Sequence, residues 1–101
     1  MNRELIYVFP DYCSTGLWRA SNGHNVDPAQ LGVSSGLQIA LKYWHRYWEL
    51  ILCEAVDMYA EEEPELPYWA KAATAKWVVD GYELARLMTN ENENFEFQYK
   101  E

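Results

Sequence analysis

The chain has 101 residues, half of them hydrophobic and 16% aromatic, and a formal net charge of −8. That length suits a single domain over 1–101, and its five Trp and eight Tyr can build a core without metals or disulfide staples. The acidity argues against nucleic acid and anionic membranes, which select Lys and Arg clusters, and permits a basic protein partner, though it also serves solubility alone.

Leu5-Ile6-Tyr7-Val8-Phe9 is a β-prone apolar run ended by Pro10, which predicts a strand covered on both faces. Residues 10–33 show no long periodicity. Asn22-Gly23 signals a two-residue hairpin, flanked by short strands at Leu17-Trp18-Arg19-Ala20 and His24-Asn25-Val26. Asp27-Pro28 then predicts a capped helical turn that stops at Gly32.

Ser35-Gly36-Leu37-Gln38 fits a capping box opening a long helix over about 35–60. Its apolar face runs through Leu37, Leu41, Trp44, Trp48, Ile51, Ala55 and Met58. Ile39, Tyr43, Tyr47 and Leu50 widen that face, while Gln38, Lys42, Arg46 and Glu49 mark the wet side. The run Glu61-Glu62-Glu63-Pro64-Glu65 breaks the pattern. A second helix follows to about Thr89, its inner face traced by Leu66, Trp69, Ala73, Trp77, Gly81, Leu84 and Met88. Phe95, Phe97 and Tyr99 alternate with Glu96, Gln98 and Lys100, a half-buried strand expected beside the first. The fold class is therefore α+β: a two-helix antiparallel hairpin packed on a small sheet formed by N- and C-terminal strands.

Candidate chemistry is sparse. Cys13 and Arg19 have the C-x5-R spacing of a phosphate-binding loop, but Ala20-Ser21-Asn22-Gly23 signals a turn where such a loop needs a helix. His45, Glu49 and Cys53 share a helix face, yet residues 66–89 offer no His or Cys to complete a zinc site. Asp80, close to the inner face of the second helix, requires a partner such as Lys76, Arg19 or a Tyr hydroxyl. No metal, cofactor or catalytic residue is expected. Two cysteines, no signal-peptide pattern after Met1 and no long apolar run fit a reducing cytoplasm. The negative charge concentrates in two places: residues 61–66 sum to −4 and residues 90–101 to −3.

This profile resembles the small immunity proteins that bacteria make against polymorphic toxins, including contact-dependent growth inhibition toxins. An acidic, aromatic-rich chain of this length without a catalytic motif carries the resemblance, together with Asp11-Tyr12-Cys13-Ser14-Thr15-Gly16-Leu17-Trp18 and Trp44-His45-Arg46-Tyr47-Trp48-Glu49. The resemblance implies a protein that is monomeric when free and that covers a basic nuclease site of the toxin. Asp57, Tyr59, Glu61, Glu62, Glu63 and Glu65 would face cationic groups, with Trp18 and Tyr68 as the aromatic anchors. An obligate subunit or adaptor docking through an aromatic helix face is the alternative, and a small Cys13-dependent phosphatase-like enzyme a more distant one.

Overall fold

The computed structural model describes residues 3–52 and 68–100. Strand β1 (Glu4–Val8) lies between β2 (Leu17–Arg19) and β3 (Phe95–Tyr99), antiparallel to the first and parallel to the second. The two ends of the chain thus meet in one sheet, as the alternation at 95–99 predicts, and the register pairs Ile6 with Phe97. Ile6, Val8, Leu17 and Phe97 are buried on one face. The other face is only half covered. Tyr7 is partly exposed beneath the Lys100 ammonium, 4.7 Å from its ring centroid, so β1 is not enclosed on both sides as its unbroken apolar run suggests.

The Asn22-Gly23 turn forms. Gly23 N–H donates to Arg19 O, Arg19 N–H to His24 O and Val26 N–H to Leu17 O, with Gly23 at φ 73°. Only β2 is a true strand there; the return flank makes a single bridge at Asn25. Asp27 caps the 3-10 turn Pro28–Leu31 by accepting from Ala29 N–H, and Gly32 ends it in the left-handed region at φ 75°.

Helix α1 (Ser35–Tyr47) continues as a wider π-helical turn, Trp48–Leu52. Residues 53–60 of the expected long helix lie outside the described residues. The expected capping box does not form, because Gln38 Nε2 donates to Val33 O at 2.7 Å instead of reaching back to an N-cap amide. The N-cap is Ser34, and its N–H is satisfied from across the molecule by Glu91 Oε1 at 2.8 Å. Helix α2 (Tyr68–Glu91) buries Trp77, Gly81, Leu84, Ala85 and Met88, much of the inner face its periodicity predicts.

Two tryptophans join the helices. Trp44 and Trp77 stack with ring centroids 4.2 Å apart and planes 4° from parallel. Each indole N–H donates to the other residue's backbone carbonyl, Trp44 to Trp77 O at 2.9 Å and Trp77 to Trp44 O at 2.7 Å. Tyr99 of β3 meets both rings edge-on, at 6.1 and 6.3 Å. Gly81 makes the approach possible: a Cβ there would stand 2.6 Å from Tyr99 and 2.8 Å from Trp44.

Helix α2 also closes the outer edge of β3. Thr89 Oγ1 accepts from Phe97 N–H at 2.8 Å, and its hydroxyl proton is directed at Ala85 O and Phe97 O. Buried Asn92 donates to Leu31 O at 2.7 Å and accepts from the N–H groups of Asn94 and Phe95. An edge strand covered this way offers few open groups to another chain.

Two substitutions test these contacts by urea denaturation. Gly81→Ala gains about 1 kcal/mol of helix propensity but overpacks two rings at a cost of about 1–3 kcal/mol or more, so the midpoint is expected to fall; a rise would mean the rings move freely. Asn92→Ala strands a buried carbonyl and two amides and is expected to cost about 2–3 kcal/mol. A change below about 0.5 kcal/mol, the surface-substitution range, would show that solvent replaces those bonds.

Candidate functional site

The outward side of α1 carries side chains that the core does not use. Ile39, Lys42, Tyr43, Arg46, Tyr47 and Leu50 recur at three- and four-residue steps and are all exposed. Tyr43 is 71% exposed, Ile39 57% and Leu50 53%, so the residues that widen the apolar pattern point to solvent rather than into the core. The ridge separates two hollows.

On one flank, α1 and α2 diverge into a groove of about 760 Å³ lined by Ala40, Tyr43, Tyr47, Ala73, Trp77 and Leu87 among others. Alanines at 40, 72 and 73 leave room that larger side chains would fill, and the Trp44–Trp77 stack contributes to its lining. Its charged residues are Lys76, Asp80 and Glu83. Lys76 pairs with Asp80 at 2.9 Å, so Asp80 finds the partner four residues earlier that the sequence offers. Glu83 accepts from the Arg86 guanidinium, and this hydrogen bond holds its carboxyl below the ordinary value. Glu83 therefore keeps its negative charge at the groove under mildly acidic conditions.

On the other flank lies a polar hollow of about 540 Å³ between α1, the loop around Ser14 and Thr15, and the Asp27-Pro28 turn. His45 anchors it. The ring is buried, with Nδ1 2.9 Å from Glu49 Oε1, and Nε2 2.8 Å from Asp11 O and 3.1 Å from Ser14 Oγ. Ser14 thus meets His45 across 31 residues of sequence, with Glu49 one turn further on, an arrangement outwardly like a nucleophile, base and carboxylate. The Asp11 carbonyl decides how it works. A carbonyl only accepts, so Nε2 donates to it and has no free lone pair to draw the Ser14 proton. The Ser14 hydroxyl itself donates to Asp11 O at 2.9 Å. The Asp11 amide approaches the same ring nitrogen at 3.4 Å, too far to compete with the shorter carbonyl contact. The cluster pins loop 11–16 to α1.

The other sequence candidates are dispersed. Arg19 sits in β2 and bonds Glu4 at 2.6 Å, and exposed Cys13 opens no helix, so the C-x5-R spacing does not fold into a phosphate loop. Trp18 is half-buried in the sheet, stacked on Phe9 at 4.9 Å with its indole N–H on Phe9 O, and lines neither hollow. Asp57, Tyr59, Glu61, Glu62, Glu63, Glu65 and Cys53 fall outside the described residues, and of Tyr68 only its place at the start of α2 is described. Among the described residues no three His, Cys, Asp or Glu side chains converge on a common point, and no helix is long and apolar enough to cross a membrane. Spacing places Lys42 and Arg46 on a wet helix face; among the described residues neither finds a charged or aromatic partner, which spacing alone does not reveal.

His45→Ala is expected to lower stability by about 2–3 kcal/mol, through a cavity and a stranded carbonyl, whereas Ser14→Ala should cost under about 1 kcal/mol. Thermal unfolding of both variants checks this. Ester hydrolysis that Ser14→Ala removes would contradict the reading of the cluster as a pin.

A family model described as Serratia CdiI immunity protein-like matches residues 4–101, so the chain belongs to that family. No curated protein matches it.

Proposed function

We propose that this member of a CdiI immunity-protein family neutralises a cognate toxin by binding it without catalysis, in the cytoplasm, and covering its active or substrate-binding site. Family membership over residues 4–101 carries the reading, and the surface supports it. The outward ridge of α1 and the adjoining groove present Tyr43, Tyr47 and Leu87, side chains of the kind that anchor interfaces. Residues 53–67 connect the helix bearing Tyr43 and Tyr47 to the helix bearing Ala73 and Lys76. The acidic stretch Glu61, Glu62, Glu63 and Glu65, with Asp57, is thereby tethered at both ends to groove-lining helices.

The chemistry implied for the toxin is basic, as in a nuclease that grips phosphate. Carboxylates at 57–65 would occupy its cationic groups and Tyr59 and Tyr68 would lie beside them, whereas Trp18, committed to Phe9 within the sheet, is left out of the proposed contact. Long-range attraction between a −8 chain and such a site raises the association rate and is screened by salt. The exposed ridge also suits a second reading, an adaptor or obligate subunit docked through Ile39, Tyr43 and Leu50. Sedimentation separates the two: a monomer at micromolar concentration fits the immunity reading, and self-association or aggregation of the isolated chain fits the other.

Binding to the cognate toxin domain is expected to begin faster than the roughly 10⁵–10⁶ M⁻¹s⁻¹ of neutral pairs and to slow as salt rises. Replacing Glu61, Glu62, Glu63 and Glu65 together by Lys is expected to abolish protection of toxin-exposed cells. Glu93→Lys, expected to do less, probes the second acidic stretch, where Glu91 is committed to the Ser34 amide. An association rate indifferent to salt, together with full protection by the fourfold reversal, would remove the electrostatic account.

A further inference from the structure

The acidic surface has a local exception. Of the eight Lys and Arg side chains, Arg19, Lys76 and Arg86 are paired with carboxylates and Lys100 lies over the Tyr7 ring. Lys71 is likewise engaged. Among the described residues Arg3, Lys42 and Arg46 have neither an acidic nor an aromatic partner, and of these Lys42 and Arg46 stand one helical turn apart and line the same hollow. Arg46 favours the C-terminal end of α1 through the helix dipole, but neither cation is used in a hydrogen bond or ion pair among the described residues.

We propose that the Lys42–Arg46 hollow is an anion subsite that receives a carboxylate side chain, Asp or Glu, from the bound toxin. The proposal rests on the toxin-binding reading and adds a contact of opposite sign to the acidic one. Three features select a carboxylate. The guanidinium of Arg46 matches a carboxylate through two parallel hydrogen bonds, and the Lys42 ammonium supplies a second positive charge from the next turn. Asp27 and Glu49 also line the hollow, and Glu49 is held by His45, so the local charge suits a single negative charge better than a phosphate dianion. The wall is fixed: His45 ties the Ser14 loop to α1, and Asp27 caps its turn, so the hollow is largely formed before binding. A toxin seated on the ridge would reach the hollow from Ile39, which lines it, and the groove from Tyr43 on the opposite flank. A buried contact of reversed sign also gives discrimination, since a related toxin with Lys or an apolar residue at that point would leave two cations facing it unpaired.

The test reverses both charges, as Lys42→Glu with Arg46→Glu, and measures association and dissociation with the toxin domain. The double change removes two positive charges and adds two negative ones. If acidity alone drove binding to a basic toxin, affinity would hold or rise. The proposal expects affinity to fall about tenfold or more, mainly through faster dissociation. Unchanged or tighter binding overturns it. Lys42→Ala with Arg46→Ala, which removes the charges without reversal, should show the same direction, and circular dichroism confirms that each variant is folded. A second arm uses the protein alone, titrated with acetate and with inorganic phosphate at fixed ionic strength while side-chain resonances of Lys42 and Arg46 are followed by NMR. Saturable shifts with acetate, lost in the alanine pair, support the subsite. No localised shift, or saturation by phosphate at far lower concentration than by acetate, overturns the carboxylate assignment. If the wild-type protein fails to hold the toxin, the toxin-binding reading fails while the acetate arm still decides the hollow.

Discussion

Trp44 and Trp77 each carry a buried indole N–H that needs an acceptor, and in this fold each takes it from the backbone of the other. The exchange sets the separation of the two helices at the point where they touch, because the rings must lie flat against one another while both carbonyls stay within reach. Each bond contributes only about 0.5–1.5 kcal/mol net, yet an indole left unpaired in the core would cost about 1–3 kcal/mol. The arrangement is therefore held more by the penalty for breaking it than by the gain in making it. Tyr99 leans edge-on against both rings, so the same pair docks the sheet, and Gly81 supplies the space.

Much of this framework is legible in the amino-acid sequence because it is periodic. Alternation at Phe95, Phe97 and Tyr99 places a strand, and the spacing of Trp77, Gly81, Leu84 and Met88 places the buried side of α2. Asn22-Gly23 and Asp27-Pro28 announce their turns through backbone chemistry that few other residues share. What periodicity does not carry is the meeting of distant polar groups. The capping box at Ser35 fails because Gln38 finds the Val33 carbonyl and Glu91, 57 residues away, satisfies Ser34. The regular α-helix ends at Tyr47, with Trp48–Leu52 forming a π-helical turn, just after the Trp44 carbonyl has taken the Trp77 indole as a second donor. A side chain entering the backbone ladder is a recognised place for a helix to depart from regular geometry by bending.

The candidate surface divides in the same way. Exposure of Ile39, Tyr43 and Leu50 follows from a helix too apolar all round for one core to cover, and the sequence shows that excess. The sequence does not show that Lys42 and Arg46 share a hollow with His45, since the loop forming its other wall comes from residues 14–15 and the turn at 27–28. Trp18, a natural anchor by residue type, spends its indole nitrogen on Phe9 and its ring on stacking. A residue's chemistry proposes a contact; what its neighbours have already taken decides whether it is free to make one.

Recognition is proposed on the outward ridge of α1 and the segment that connects it to α2, with the sheet as scaffold. Amide hydrogen exchange of the protein, free and in complex with the toxin domain, tests that placement most directly. Protection on binding is predicted in peptides covering 39–50, the 57–68 segment and the groove-facing turns of α2, with β1, β2 and β3 unchanged. Protection confined to β2, β3 and the turn at 90–94, with 39–50 exchanging as in the free protein, would contradict it.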